Sequence, residues 1–158
     1  LQKNYYVRLG TGHTSHHLSD NWYEQLQLTH AVHYSRDYIQ TYFVYADSSS
    51  TLIFAGVDYG YIFHLAGKED KPWKFHFGGE QKIASLTDNI SMYGAFDTKI
   101  HEEAGFAFSN AFQFGIKMPM QYGHILRIAY QFRNGLDERA QFFPQHISLH
   151  TIGLYIEI

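Results

Sequence analysis

Bulky apolar residues alternate with small or polar residues along most of this chain. The clearest stretch runs from Ala104 to Lys117, where one parity holds Phe106, Phe108, Phe112 and Phe114. The other parity is small or polar, with Gly105, Ala107, Ser109, Ala111, Gln113 and Gly115. Because successive side chains of a strand point to opposite faces, this pattern predicts a strand with one aromatic wall and one small, polar wall.

The same alternation divides the chain into nine segments, most of them long enough to cross a membrane as tilted strands. They are Lys3–Ser15, Asn21–Tyr34, Tyr38–Ala46, Thr51–Leu65, Trp73–Lys82, Asn89–Ile100, Ala104–Lys117, Gly123–Arg133 and Ile147–Ile158. Short polar connections such as Ser35-Arg36-Asp37 carry the residues typical of turns. We therefore expect one all-β domain over residues 1–158, an antiparallel, up-and-down transmembrane β-barrel of about 8–12 strands.

The sense of the alternation favours a membrane over water. A soluble barrel points bulky apolar residues inward and ions outward, whereas a membrane barrel does the reverse. Enclosing many charges around an apolar ligand is costly. A soluble, lipocalin-like ligand carrier is the alternative, and it predicts folding without detergent. The parity opposite the bulky residues carries charges of both signs: Asp58, Lys74, Glu80, Asp97, Lys99, Lys117, Arg127 and Glu157.

Composition narrows the classes of partner and the ways of crossing a membrane. The formal net charge of −3 gives no reason to expect a nucleic-acid partner. The chain has no cysteine, which excludes disulfides and thiolate metal sites. No apolar run approaches the ~18 residues of a membrane helix. Any crossing must therefore use a closed barrel, since an open strand edge is not tolerated in lipid.

The densest group of reactive residues lies at the end of the first predicted strand. His13 and Ser15 continue the outward parity of that strand, two residues apart. A hairpin turning near Leu18–Ser19 would place Glu24 opposite His13 on the same face. The pattern predicts Ser15 as nucleophile, His13 as its base and Glu24 as the carboxylate that orients the imidazole, with Asp20 as a substitute for Glu24.

A metal site is the other chemistry that these histidines suggest, because imidazoles suit Zn²⁺ and Cu²⁺. The candidates are His13, His16, His17, His30 and His33. His16 and His17 point in opposite directions in an extended chain, and no cysteine or close pair of carboxylates completes a site. We therefore predict neither a metal nor a cofactor.

The His13-x-Ser15 pair with a nearby carboxylate is similar to the active-site pattern of outer-membrane phospholipase A and the outer-membrane lipid A 3-O-deacylase. Across more of the chain, the sequence resembles a family of uncharacterised bacterial outer-membrane barrels, defined only as a domain of unknown function. This resemblance implies a barrel in the outer membrane of a Gram-negative bacterium and no established activity. The similar stretches are Gly12-His13-Thr14-Ser15-His16-His17-Leu18-Ser19-Asp20, His33-Tyr34-Ser35-Arg36-Asp37, Gly135 with Gln141-Phe142-Phe143, and Gly153-Leu154-Tyr155.

Two functions therefore stay open, and the sequence does not decide whether the protein is an enzyme. One is a structural or accessory barrel of the cell envelope, with phospholipid, lipopolysaccharide or another envelope protein as partner. The other is a lipid acyl hydrolase that uses the Ser15 site. If the last strand ends in the periplasm, counting back through nine segments puts His13 at the periplasmic rim. The lipid-hydrolysing barrels act at the outer leaflet, so this count conflicts with the hydrolase.

Overall fold

The computed structural model describes residues 3–17, 33–47, 50–65, 71–137 and 145–157. Two short 3₁₀ segments, Glu102–Ala104 and Gln121–Gly123, connect consecutive strands. No helix in these residues is long and apolar enough to cross a membrane. The strands are β1 (Lys3–His17), β2 (His33–Asp47), β3 (Thr51–Leu65), β4 (Trp73–Thr87), β5 (Ile90–His101), β6 (Ala107–Pro119), β7 (Ile125–Leu136) and β8 (His146–Glu157).

Each strand pairs antiparallel with the next one in the chain, so the predicted all-β, up-and-down topology is confirmed as one eight-stranded sheet. Within the described ranges no ladder joins β1 to β8, so the structure establishes the sheet and not its closure into a barrel. The predicted segment Asn21–Tyr34 lies outside the described residues, except for its last two residues, which begin β2.

The exposed fractions of the side chains confirm the two predicted faces. Ile152 is 83% exposed, whereas Asp58 and Tyr93 are each 1% exposed. The usual distribution is thus inverted, with large apolar side chains outside and charged ones enclosed. We call these the apolar face and the polar face. The apolar face includes Leu9, Phe108, Phe112, Phe114, Ile152 and Leu154. The polar face includes Asp58, Lys74, His76, Glu80, Tyr93, Asp97, Lys117 and Arg127.

Contacts across the polar face join strands that are not neighbours in the sheet. The Tyr42 hydroxyl in β2 lies 2.9 Å from His76 Nδ1 in β4, with β3 between them. Glu80 in β4 forms ion pairs with Lys117 in β6 and Arg127 in β7. A flat sheet keeps such strands about 10 Å or more apart. The sheet is therefore strongly curved, with the polar face on its concave side.

Three stretches differ from the predicted alternation, each at a backbone irregularity. In β3 the register skips Tyr61, which forms a bulge and leaves Tyr61 and Ile62 both exposed. In β4 two register shifts after Lys82 expose Ile83 and Leu86, and the strand continues to Thr87. A bulge adds one residue to one strand, so a strict period of two misses it.

The start of β6 also differs from the prediction. Ala104 ends a 3₁₀ turn, and Gly105 and Phe106 have φ angles of 67° and 62°, so the strand begins only at Ala107. The Phe106 amide donates to the His101 carbonyl at 2.9 Å, which closes the turn between β5 and β6.

Gly135 is the position where a side chain is least compatible with the sheet. Its φ is 146°, and an added Cβ would lie 2.4 Å from Ser109 Cα and 2.6 Å from the Phe108 carbonyl oxygen. We expect Gly135→Ala to lower the free energy of unfolding by about 3 kcal/mol, because backbone strain adds to overpacking. Urea denaturation followed by circular dichroism measures this loss.

Gly105→Ala is the matched control, since Gly105 has φ 67° and no atom within 4 Å of an added Cβ. Only the left-handed backbone penalty of about 1 kcal/mol applies there. Equal losses for the two variants would show that the Ser109 contact does not limit position 135.

Candidate functional site

The predicted histidine of β1 makes a short hydrogen bond to a carboxylate of β2. His13 Nδ1 lies 2.6 Å from Asp37 Oδ1, and the two residues are directly opposite each other in the register. With Asp37 as a carboxylate, which only accepts hydrogen bonds, the His13 tautomer that fits this contact has Nδ1–H as the donor. Nε2 then carries the lone pair that can take a proton, as in a hydrolase triad.

Ser15 follows His13 on the same face of β1. Both residues are exposed, and in the register Ser15 lies opposite Ser35. Residues two apart on a strand are about 7 Å apart along it, a span that an imidazole ring and a hydroxyl can bridge. His13, Asp37 and Ser15 therefore supply a base, its orienting carboxylate and a hydroxyl on two rungs of the β1–β2 ladder that are separated by the Thr14–Arg36 rung.

The carboxylate that contacts His13 is not the one that the sequence predicts. Glu24 and Asp20 lie outside the described residues. The predicted turn Ser35-Arg36-Asp37 is wrong, because β2 runs through these residues and pairs with β1 on one side and β3 on the other. Two backbone ladders outweigh the local turn preference of Ser and Asp.

A repeated spacing in the sequence could have identified Asp37. His33-x-Ser35-x-Asp37 has the same period of two as His13-x-Ser15. In the register of β1 and β2 these two stretches lie opposite each other, from His17 with His33 to His13 with Asp37.

The His13–Asp37 pair borders an apolar surface. Ile62 lies opposite Asp37 on β3 and is 45% exposed, and Ile39 and Leu9 lie further along β2 and β1. His13 itself keeps 57% of its side chain exposed and Asp37 keeps 28%. The pair is thus accessible from outside the sheet, next to side chains that suit a hydrocarbon chain.

A second cluster of polar side chains lies on the polar face. The sequence predicted that its charged residues share a face, but not which of them contact each other. His76 Nε2 is 2.5 Å from Asp97 Oδ2, while its Nδ1 meets the Tyr42 hydroxyl. Lys74 Nζ is 2.8 Å from Asp58 Oδ2, an ion pair that is almost fully enclosed. Buried charges persist when they are paired, and both ions of this pair are, although Asp58 Oδ1 has no hydrogen-bond partner among the described residues.

A smaller polar group lies on the polar face at the end of the sheet that carries Tyr34 and Glu103. The Tyr34 hydroxyl contacts both carboxylate oxygens of Glu103, at 3.2 Å and 3.1 Å. His101 Nδ1 lies 3.4 Å from the same carboxylate, and the Arg36 guanidinium donates to the Pro72 carbonyl at 2.7 Å. These contacts link β2 to the turn after β5 and to Pro72, the residue before β4.

No group of three or more His, Cys, Asp or Glu side chains that could hold a metal ion occurs among the described residues. Of the histidines proposed as ligands, His13 contacts Asp37 and the His16 ring lies 6.2 Å from the Tyr34 ring. His30 lies outside the described part of the chain.

Comparisons with protein-family models, with curated proteins and with solved structures find no match to this chain.

Proposed function

We propose that this chain forms a membrane-spanning β-barrel of the bacterial outer membrane, with a lipid-binding outer wall. The observation that carries the proposal is the inverted distribution of side chains. Ile152, Tyr5 and Leu9 are 83%, 76% and 74% exposed, while the paired ions lie on the concave side of the sheet. Leaving such an apolar side chain in water costs about 1.5–3 kcal/mol of free energy relative to burying it, and contact with lipid would supply that stabilisation.

The curvature of the sheet supports closure of the strands into a barrel. Ion pairs from β4 reach β6 and β7, and Arg127 in β7 also pairs with Glu157 in β8. The strands contain 12 to 15 residues. Tilted membrane strands need only about 9–11 residues, so each strand can cross the hydrocarbon core and extend beyond it.

The lengths of the connections support an orientation. Residues 18–32, 66–72, 102–106 and 137–145 connect strands at the end where His13 lies, which we call the long-loop end. Residues 48–50, 88–89 and 120–124 connect them at the opposite, short-turn end. Outer-membrane barrels have short periplasmic turns and longer external loops. Counting back from a periplasmic end of β8 through the eight strands of the described residues puts the end of β1, and so His13, at the external rim, where outer-leaflet chemistry takes place.

Refolding into lipid tests the barrel. We expect urea-denatured chain to gain strand signal with phospholipid vesicles, to float with them in a density gradient, and to keep its strands after protease treatment. In buffer alone the exposed apolar face should drive aggregation. A monomer with the same circular dichroism spectrum in detergent-free buffer would instead support the lipocalin-like carrier.

A second function is favoured by the His13–Asp37 hydrogen bond, namely hydrolysis of a lipid acyl ester at the external rim. Ser15 attacks the ester carbonyl while His13 Nε2 takes the hydroxyl proton. His13 then returns that proton to the leaving alcohol, and water releases the fatty acid from Ser15 by the same proton transfers. Asp37 holds the imidazole in the required tautomer, and the acyl chain lies along Leu9 and Ile39. Phospholipid and lipopolysaccharide both contain such esters.

A further inference from the structure

Polar side chains also lie on the outward side of β8, at the long-loop end. Three of them share the exposed parity of this strand: His146, Ser148 and His150. The Tyr130 hydroxyl of β7 lies 2.6 Å from His150 Nδ1, and the centres of the His150 and Phe132 rings are 4.7 Å apart. This group on β8 is the counterpart of His13 and Ser15 on β1, the strand at the other edge of the sheet.

β1 and β8 are the two edge strands of the described sheet. An edge that faces lipid leaves backbone N–H and C=O groups without partners, at a cost of several kcal/mol for each group, so in the proposed barrel these two strands pair with each other. The strands of the sheet alternate in direction, so β1 and β8 are antiparallel and their long-loop ends lie side by side. The polar residues of β8 then share one outer surface with His13 and Ser15.

The pairing of the strands determines which residues of β1 and β8 are level with each other. A row of directly paired residues runs from Val7 in β1 through every strand to Ser148 in β8. Closing eight strands that tilt by about 35–45° shifts this row along β1 by about 8–11 residues. The shift is even, because outward side chains of β8 lie beside outward side chains of β1, which leaves ~8 or ~10 residues. We call these the shorter and the longer stagger.

Either stagger brings His150 to Ser15. The shift runs toward the His17 end of β1, because the opposite shift would place β8 beside none of the residues Lys3–His17. With the shorter stagger His150 lies opposite His13 and diagonal to Ser15, and with the longer stagger it lies directly opposite Ser15. Opposite residues have Cβ atoms about 4.5–5.5 Å apart and diagonal neighbours about 7–8 Å apart, within reach of an imidazole ring.

The hydrogen bonds of the two histidines fit complementary roles. His13 uses Nδ1 toward Asp37, which leaves Nε2 as an acceptor. His150 Nδ1 instead meets the Tyr130 hydroxyl, and with that hydroxyl as the donor the proton of the neutral imidazole is on Nε2. His150 Nε2–H is then a hydrogen-bond donor beside Ser15. Donors in such a position stabilise the oxyanion that forms during acyl transfer.

We propose that His150 is a further catalytic residue of the lipid acyl hydrolase, contributed by β8 across the closed β1–β8 seam, and that Tyr130 is its positioning residue. As Ser15 Oγ adds to the ester carbonyl, the C=O electron pair moves onto oxygen and His13 Nε2 takes the hydroxyl proton. His150 Nε2–H donates a hydrogen bond to this oxyanion and keeps its proton. The carbonyl re-forms as the alcohol leaves with the proton from His13. This inference rests on both the proposed barrel and the proposed hydrolase.

Disulfide crosslinking tests the seam independently of activity, because the chain contains no cysteine of its own. Thr11→Cys is combined with Ile152→Cys for the shorter stagger and with Leu154→Cys for the longer one. The chain is folded into phospholipid vesicles and oxidised with copper phenanthroline, and a bridge is detected as a reducible shift in gel mobility. We expect at least one of these pairs to bridge. Val7→Cys with Ser148→Cys is the control, since the stagger moves these positions beyond the reach of a disulfide.

Fatty-acid release from phospholipid micelles tests the role of His150. His150→Leu should lower kcat about 10²- to 10³-fold with little change in KM, because it removes a donor that acts in the transition state. His150→Gln keeps a side-chain N–H and should recover part of that loss. Tyr130→Phe removes the hydroxyl that sets the tautomer and should lower kcat without raising KM. Phe132→Leu is the matched control: it changes the packing of the His150 ring but neither hydrogen-bonding group, and kcat should stay near the wild-type value.

The outcomes separate this inference from the functions on which it rests. If neither Thr11→Cys pair bridges in a chain that floats with vesicles, the seam is wrong while membrane insertion stands. If His150→Leu and Tyr130→Phe release fatty acid as fast as the wild type, the role of His150 is wrong while the hydrolase stands. If His150→Leu does not fold, the kcat of Tyr130→Phe decides. A wild-type chain that releases no fatty acid overturns the hydrolase, and the role of His150 with it.

Discussion

Ser15→Ala is expected to abolish the release of fatty acid from lipid esters, with a fall in rate of about 10³-fold or more. The reason is that the alanine variant lacks the nucleophile while the His13–Asp37 pair stays in place. The measurement is fatty-acid release from mixed micelles that contain phospholipid or lipid A. Ser35→Ala is the matched control, because Ser35 lies directly opposite Ser15 in the register and should leave the rate nearly unchanged.

Two further variants test which carboxylate, that of Asp37 or that of Glu24, orients the His13 imidazole. Asp37→Asn keeps the size of the side chain but stabilises the wrong tautomer of His13, and it should lower the rate about 10³- to 10⁴-fold. Glu24→Gln should have little effect if Asp37 is the orienting group. The reverse result would restore Glu24 to that role, and equal release by the wild-type chain and Ser15→Ala would eliminate the hydrolase.

Phe112→Arg is expected to destabilise the protein in lipid by about 2–4 kcal/mol, the cost of a cation on the lipid face near the membrane centre. Phe112 is 45% exposed in the middle of β6, opposite Phe96 on one side and Phe132 on the other. The effect is measured as the shift in urea unfolding of the chain in phospholipid vesicles.

The size of the change in free energy of unfolding caused by Phe112→Arg shows whether the apolar face contacts lipid or water. On a water-exposed surface, a change from phenylalanine to arginine is usually within about 0.5 kcal/mol. Phe112→Leu keeps the lipid contact and should cost little. Tyr122→Arg is the second control, since Tyr122 is 92% exposed in the turn between β6 and β7. If Phe112→Arg lowers the free energy of unfolding no more than Tyr122→Arg does, the apolar face does not contact lipid.

Much of the fold could be predicted from the period of two. That period identified most strands and the side of each that carries charge, as at Lys117 and Arg127 in β6 and β7. It failed at bulges such as Tyr61, where one extra residue reverses the parity, and at Phe106, where a positive φ delays the start of β6 to Ala107. Such irregularities depend on pairing with a neighbouring strand, and a one-chain pattern does not contain that information.

The candidate site was predicted only in part. His13 and Ser15 followed from their shared parity, which is a property of a single strand. Asp37 did not, because its local sequence is typical of a turn and its partner lies 24 residues earlier in the chain.

By itself, the sequence determined that the chain is all-β and that its large apolar and charged residues occupy opposite faces, since alternation along a strand is a local property of the backbone. Tertiary structure alone decided which residues meet: Asp37 with His13, and Glu80 with Lys117 and Arg127. Those contacts require the register between strands and the curvature of the whole sheet. Both arise from pairing over long separations, which no local pattern specifies.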